Sequence, residues 1–194
     1  MLFPKLKICL ASTSPRRREL LRQLGLDFEI QAPEVPERAR PGEPPREFAR
    51  RMAAEKAGTV FARLRQHGRP PPVLGADTVV VLAGEMLGKP RDREHGEAML
   101  RRLSGNTHEV ISAIALRHGE TVYTDLNITR VSFAPLTEAD IRDYWRTGEP
   151  ADKAGAYAIQ GRGAAFVTRI DGSYSSVVGL PLYELVQLLK KLDS

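Results

Sequence analysis

The sequence predicts a mixed α/β fold, a single domain over residues 1–194 in which helices flank a mixed, twisted sheet. Three observations carry this. Strand-like and helix-like apolar patterns take turns along the chain, with no internal repeat, low-complexity tract or linker. The length of 194 residues fits one domain, with room for two lobes, at roughly 100–200 residues per domain. The composition, 42% hydrophobic and 27% charged, is that of a globular chain and argues against disorder. The longest apolar runs, such as residues 79–83, are far shorter than the roughly 20 residues a membrane-spanning helix needs. The opening Met1-Leu2-Phe3-Pro4-Lys5 has no apolar stretch of signal-peptide length, so a cytoplasmic location with no membrane partner is expected.

Residues 5–11 form a first strand through Leu6, Ile8, Cys9 and Leu10. The lone cysteine, Cys9, has no partner for an internal disulfide and reads as a small buried hydrophobe. Ser12-Thr13-Ser14-Pro15 starts a helix, with Ser14 as cap and Pro15 at its first position. Leu20, Leu21 and Leu24 keep helical spacing until Gly25 stops it, and residues 27–31 make a short second strand. Five prolines in residues 32–45 enforce a loop. A long amphipathic helix over residues 46–66 carries Phe48, Met52, Val60 and Phe61 on one side. Residues 73–82 are the most strand-like segment, returning through Ala83-Gly84 into a strand over residues 85–87. A helix over residues 92–103 follows. Residues 107–117 and 121–134 form a hairpin across His118-Gly119-Glu120. Thr137 caps a helix to residue 146, with Glu138 and Asp140 in its first turn. A loop over 148–163, a strand over 164–170, a turn at Asp171-Gly172 and a helix over 182–192 complete the chain.

Charge points to an anionic partner. Twenty-nine basic against 24 acidic residues give a net +5, which suits nucleic acid, acidic lipid or nucleotide phosphate equally. More specific is Arg16-Arg17-Arg18 in the first turn of a helix. That end carries the positive pole of the backbone dipole and ordinarily attracts acids. Three cations there are either a solvated basic face or an anion site, and broken local rules gather at functional sites. Gly75-Ala76-Asp77-Thr78-Val79-Val80-Val81 brings a carboxylate into a strongly apolar strand. Asp77 is either a turn or cap aspartate, or a partly buried base or metal ligand in need of a metal, a lysine or a water. Gly84-Glu85-Met86-Leu87-Gly88-Lys89-Pro90 is one residue short of a P-loop and ends in the wrong residue, though Lys89 can still neutralise phosphate. Gly161-Arg162-Gly163 lacks a dinucleotide fingerprint's third glycine, and no Gly-x-Ser-x-Gly elbow exists. His67, His95, His108 and His118 lack zinc spacing and read as surface or hairpin residues.

Taken together, Leu10-Ala11-Ser12-Thr13-Ser14-Pro15-Arg16-Arg17, Glu55-Lys56-Ala57, Gly75-Ala76-Asp77-Thr78, Gly88-Lys89-Pro90, Leu103-Ser104-Gly105, the run from Asp152 to Gly161, Gly172-Ser173-Tyr174 and Val177-Val178-Gly179-Leu180-Pro181 resemble the Maf family of nucleoside triphosphate pyrophosphatases over nearly the whole chain. The resemblance implies an inosine-triphosphatase-like α/β fold with a central cleft between two lobes, often dimeric. It implies a cytoplasmic enzyme that hydrolyses a nucleoside triphosphate between its α- and β-phosphates with a divalent cation, Mg²⁺ or Mn²⁺. By the same resemblance Ser12, Arg16 and Arg17 hold the triphosphate, Lys56 and Lys89 neutralise it, and Asp77 is the proton acceptor. Glu37 falls where the family places an acid near the metal, beside Asp77; its surroundings depart from the family pattern, so Glu34 is a rival. Arg16, Thr78 and Gln160 match the subgroup that prefers dTTP and UTP. An amide at position 160 offers a donor and an acceptor to the N3–H and O4 of thymine or uracil. The alternatives are a pyrophosphatase for non-standard purine or 7-methylguanosine triphosphates, and a non-catalytic nucleotide- or nucleic-acid-binding regulator of septum formation. The low aromatic content, 6%, disfavours a base-stacking surface for nucleic acid.

Overall fold

The computed structural model describes residues 6–192. Lys5, expected to open the first strand, and the N-terminal residues before it lie outside the described residues. The strands are β1 (Lys7–Ala11), β2 (Asp27–Ile30), β3 (Val73–Leu82), β4 (Glu85–Leu87), β5 (Thr107–His118), β6 (Thr121–Phe133) and β7 (Val167–Asp171). The helices are α1 (Pro15–Gln23), α2 (Pro45–Arg65), α3 (Arg93–Leu103), α4 (Glu138–Arg146), α5 (Tyr174–Val178) and α6 (Leu182–Lys190). The strands form one sheet in the order β2-β1-β3-β5-β6-β7, with β4 paired to β3 outside that path. β1 runs parallel to β2 and β3, whereas β4 and β7 run antiparallel to β3 and β6. The mixed sheet with helices expected from the sequence is therefore what the chain builds.

The chain divides into two compact units. One holds the residues up to Asp77, Ser112–Asn127 and those from Gly179 onward; the other holds Thr78–Ile111 and Ile128–Val178. In the first unit, β1 buries Ile8, Cys9 and Leu10, and α2 buries Met52, Ala53, Ala57 and Val60. One glycine explains how closely α2 sits on β3. A Cβ at Gly75 would fall 2.2 Å from the Ala53 carbonyl oxygen and 2.7 Å from the Ala57 nitrogen. Only a residue without a side chain lets the helix backbone come this near. Gly75 and Asp77 lie on the same strand face, because side chains alternate, and Lys56 sits one position before Ala57 on the helix. The close approach thus positions the lysine over the aspartate.

In the second unit, α3 and α4 pack together and bury Leu100, Leu103 and Ile141. Both helices are capped as their sequences require. Asp92 accepts a bond from the His95 nitrogen, and Thr137 and Asp140 form a reciprocal capping box. Several details depart from expectation. Residues 164–166 belong to a 3-10 turn, Arg162–Phe166, so β7 starts only at Val167. The loop over 148–163 contains two further such turns, Glu149–Asp152 and Ala154–Ala156. Tyr174–Val178 is helical, though no periodicity marked it. His108 is in the hairpin as expected but is buried rather than at the surface. It is 1% exposed, with its Nε2 2.8 Å from the Tyr157 hydroxyl and its ring edge-on to Phe133 and Tyr157.

Candidate active site

The first unit gathers Ser12, Arg17, Glu37, Lys56 and Asp77. Asp77 is 7% exposed and Lys56 5% exposed, so neither charge could be sustained without a partner. Lys56 Nζ lies 2.7 Å from Asp77 Oδ1 and 2.5 Å from Glu37 Oε1. One ammonium group therefore bridges two carboxylates, one buried and one half-exposed. Of the partners that the apolar setting of Asp77 demanded, the structure supplies a lysine. It also separates the two rival acids of the proline-rich loop. Glu37 reaches the Lys56–Asp77 pair, whereas Glu34 is exposed and faces Arg63 at 3.6 Å.

Helix α1 starts without help from its cap. Ser14 occupies the capping position but makes no side-chain bond, and no acid lies in the first turn. The Ser14 N–H instead donates to Ser12 Oγ at 3.2 Å, which also receives Arg17 Nη1 at 3.2 Å. Arg17 Nε donates to the Gly179 carbonyl oxygen at 2.8 Å. The guanidinium is thus fixed on two sides, by a hydroxyl five residues away and by a carbonyl 162 residues away in sequence. Burial lowers the Arg17 pKa; Asp77 and Glu37 oppose this and Arg16 adds to it. Those effects place the two arginines and both acids in one electrostatic neighbourhood. Arg16 is half-buried on the same turn. Cys9 is fully buried in β1, and burial raises its thiol pKa to about 11, which makes it inert as a nucleophile at neutral pH.

Thr78, Lys89 and Gln160 lie in the second unit. Thr78 follows Asp77 on β3 and is half-buried; Lys89 is exposed just after β4. Gln160 is exposed at the turn of a loop whose flanks are tightly bonded. Tyr144 Oη accepts the Ala158 N–H at 3.0 Å and donates to Glu149 Oε1 at 2.7 Å. Glu149 also accepts the N–H groups of Arg162 at 3.0 Å and Gly163 at 3.1 Å. Sequence reasoning missed Glu149 and Tyr144. The signal available was the pair of glycines at 161 and 163, each of which lies where a Cβ would strike one of these side chains.

The donor set bears on a divalent cation. Among the described residues no cluster of three or more His, Cys, Asp or Glu side chains could hold a metal. Two carboxylates on one ammonium are nonetheless a hard-oxygen pair held around a positive charge. Mg²⁺ is ordinarily held by one or two carboxylates with substrate phosphates and waters completing its shell. Glu37 and Asp77 fit that pattern.

Comparisons with known proteins agree with this architecture. The family model described as "Maf-like protein" matches residues 7–192. A relative from Methylococcus capsulatus, named dTTP/UTP pyrophosphatase, is 51% identical over 187 residues, covering 96% of this chain and 91% of its own. Relatives of the same name from Hahella chejuensis and Escherichia coli O157:H7 are each 50% identical over 185 residues, covering 95% of this chain and 92% of theirs. The Ham1 protein of Staphylococcus aureus shares the fold, with a TM-score of 0.51 at 11% identity over 95% of this chain and 98% of its own. Among the described residues no helix is long and apolar enough to cross a membrane. With the family model spanning nearly every described residue and relatives at half identity along the same length, the chain belongs to the Maf family.

Proposed function

We propose that the chain hydrolyses dTTP and UTP between the α- and β-phosphates, releasing the nucleoside monophosphate and pyrophosphate. The observation that carries this reading is the bridged Glu37–Lys56–Asp77 group beside the anchored Arg17, in a chain half identical to relatives named for that activity. A triphosphate brings close to four negative charges, and turnover requires cations where charge grows on the phosphorus oxygens. Arg16 and Arg17, with the Ser12 hydroxyl, bind the triphosphate. Arg17 suits that task because its bonds to Ser12 and Gly179 orient the guanidinium before substrate arrives. Lys56 and Lys89 neutralise phosphate charge.

Asp77 accepts the proton of the attacking water. The ion pair uses Oδ1, and Oδ2 is the oxygen we assign to proton acceptance. Glu37 and Asp77 would hold a divalent cation, Mg²⁺ or Mn²⁺, which when bound supplies Lewis-acid polarisation of the phosphoryl oxygens. Gln160 reads the pyrimidine edge through its amide, and Thr78 contributes to substrate binding. A cytoplasmic location and a homodimer belong to this reading through the family alone.

The test is pyrophosphate release from dTTP, UTP, CTP, ITP and 7-methyl-GTP by the wild type and by Asp77→Asn. The expected result is turnover of dTTP and UTP before the others, and an Asp77→Asn rate about 10²–10⁴-fold lower with nucleotide binding retained. Turnover by Asp77→Asn within a few-fold of wild type would remove the proton acceptor. Binding without turnover in the wild type would favour a regulator over an enzyme.

A further inference from the structure

The loop that carries Gln160 is held at more points than a connecting segment needs. On its N-terminal side Tyr157 bonds to His108 at 2.8 Å, and the Ala158 N–H bonds to Tyr144 Oη at 3.0 Å. On its C-terminal side the Glu149 carboxylate takes the N–H groups of both Arg162 and Gly163, and the same carboxylate accepts the Tyr144 hydroxyl. Gln160 stands exposed between the two anchors. The packing tolerates no spare atom there. A Cβ at Gly161 would lie 2.2 Å from Glu149 Oε2, and one at Gly163 would lie 2.6 Å from Tyr144 Oη.

We propose that Glu149, with Tyr144, is a positioning residue for pyrimidine selection: it fixes the backbone on either side of Gln160 so that the amide meets the base at one place. The inference rests on the reading of Gln160 as the base-recognising residue. Its physical basis is an exposed, rotatable amide, whose reach is decided by the backbone beneath it. An ionised carboxylate accepts on both oxygens and has no donor. Three donors converge on Glu149, and burial is outweighed by those bonds, which lower its pKa and keep it charged. A glutamine at this position keeps the shape but turns an NH₂ toward one of the donors. That would push the loop away on one side without emptying the site.

The experiment compares Glu149→Gln, Glu149→Asp, Tyr144→Phe and Gln160→Ala for kcat and KM with dTTP, UTP and GTP. Glu149→Gln is expected to raise KM for dTTP and UTP, to leave kcat near wild type, and to lower the dTTP-to-GTP ratio of kcat/KM by about tenfold. Gln160→Ala is expected to lower that ratio at least as far, and adding Glu149→Gln to it should lower it no further. Glu149→Asp, which retains an acceptor-only group, should recover part of the ratio. A purely structural role predicts something else, a loss of kcat/KM on dTTP and GTP alike with the ratio intact, and that result overturns the proposal. A ratio that Gln160→Ala collapses and Glu149→Gln leaves intact overturns the positioning role while sparing the base-reading role. A ratio that neither variant changes overturns both. Should Glu149→Gln fail to fold, Tyr144→Phe carries the same comparison, since its hydroxyl joins Ala158 to Glu149.

Discussion

Replacing Lys56 by methionine deletes one ammonium group and keeps a side chain of similar girth. Its consequence can be worked from the burial of its two partners. Asp77 has a side chain only 9% exposed, so losing the cation strands a carboxylate in an apolar strand. Removing one member of a buried ion pair costs about 3–5 kcal/mol. Glu37 is half-exposed, and water can take the place of the lysine there, so its bond adds about 0–1 kcal/mol at most. The expected loss is thus set by Asp77, about 3–5 kcal/mol, which for a chain of this length lowers Tm by roughly 6–20 °C. The assay is urea or thermal unfolding of Lys56→Met, Asp77→Asn and the double variant. The double variant should be more stable than the two single losses added together, because a neutral amide in place of the Asp77 carboxylate no longer needs a cation. Strict additivity, or a single-variant cost below about 0.5 kcal/mol, would show that the pair is not electrostatically isolated and would refute the reasoning.

Two further predictions concern Glu37 and His108. Glu37→Gln should raise the Mn²⁺ concentration needed for half-maximal turnover by about tenfold or more, whereas Glu34→Gln should leave it unchanged, since only Glu37 reaches the lysine that pairs with Asp77. Equal effects of the two would reject that assignment. Burial pushes the His108 imidazole down from its ordinary 6.5 to about 4, so the folded chain keeps it neutral where the unfolded chain protonates it. The unfolded state then binds more protons, and His108 costs stability progressively as pH falls from about 6.5 toward 4, by up to roughly 3 kcal/mol. His108→Phe should flatten that part of the pH–stability curve measured by urea unfolding, and an unchanged slope would mean that His108 does not titrate there.

Much of the frame was legible because it is local. Pro15 after Ser14, the Thr137–Asp140 box and the apolar run of β3 each announce an element within a few residues. The burial of His108 is also legible in the alternation of β5. His108 shares a strand face with Val110, and both are buried. What escaped depends on partners distant in sequence. The 3-10 turn Arg162–Phe166 follows bonds from its backbone to Glu149, and α5 is a single short turn with two valines, a composition that favours strand. At the site, the anomalous arginines and the buried Asp77 stood out as violations of local rules. Their partners did not, since Lys56 is 21 residues from Asp77 and Gly179 is 162 from Arg17. The roles given to Lys56, Glu37 and Gln160 came from family resemblance. The choice between Glu34 and Glu37 needed a three-dimensional distance.

The bond from Arg17 to Gly179 has a temporal meaning as well. During translation the arginine leaves the ribosome long before its acceptor exists, and the first unit draws its segments from three separate stretches of chain. Synthesis proceeds at about 5–20 residues per second, so the intervening residues take on the order of ten seconds to emerge. Throughout that interval the basic turn lacks the carbonyl that aims Arg17. A nascent or truncated chain that stops short of Gly179 therefore presents Arg17 without the carbonyl that orients its guanidinium.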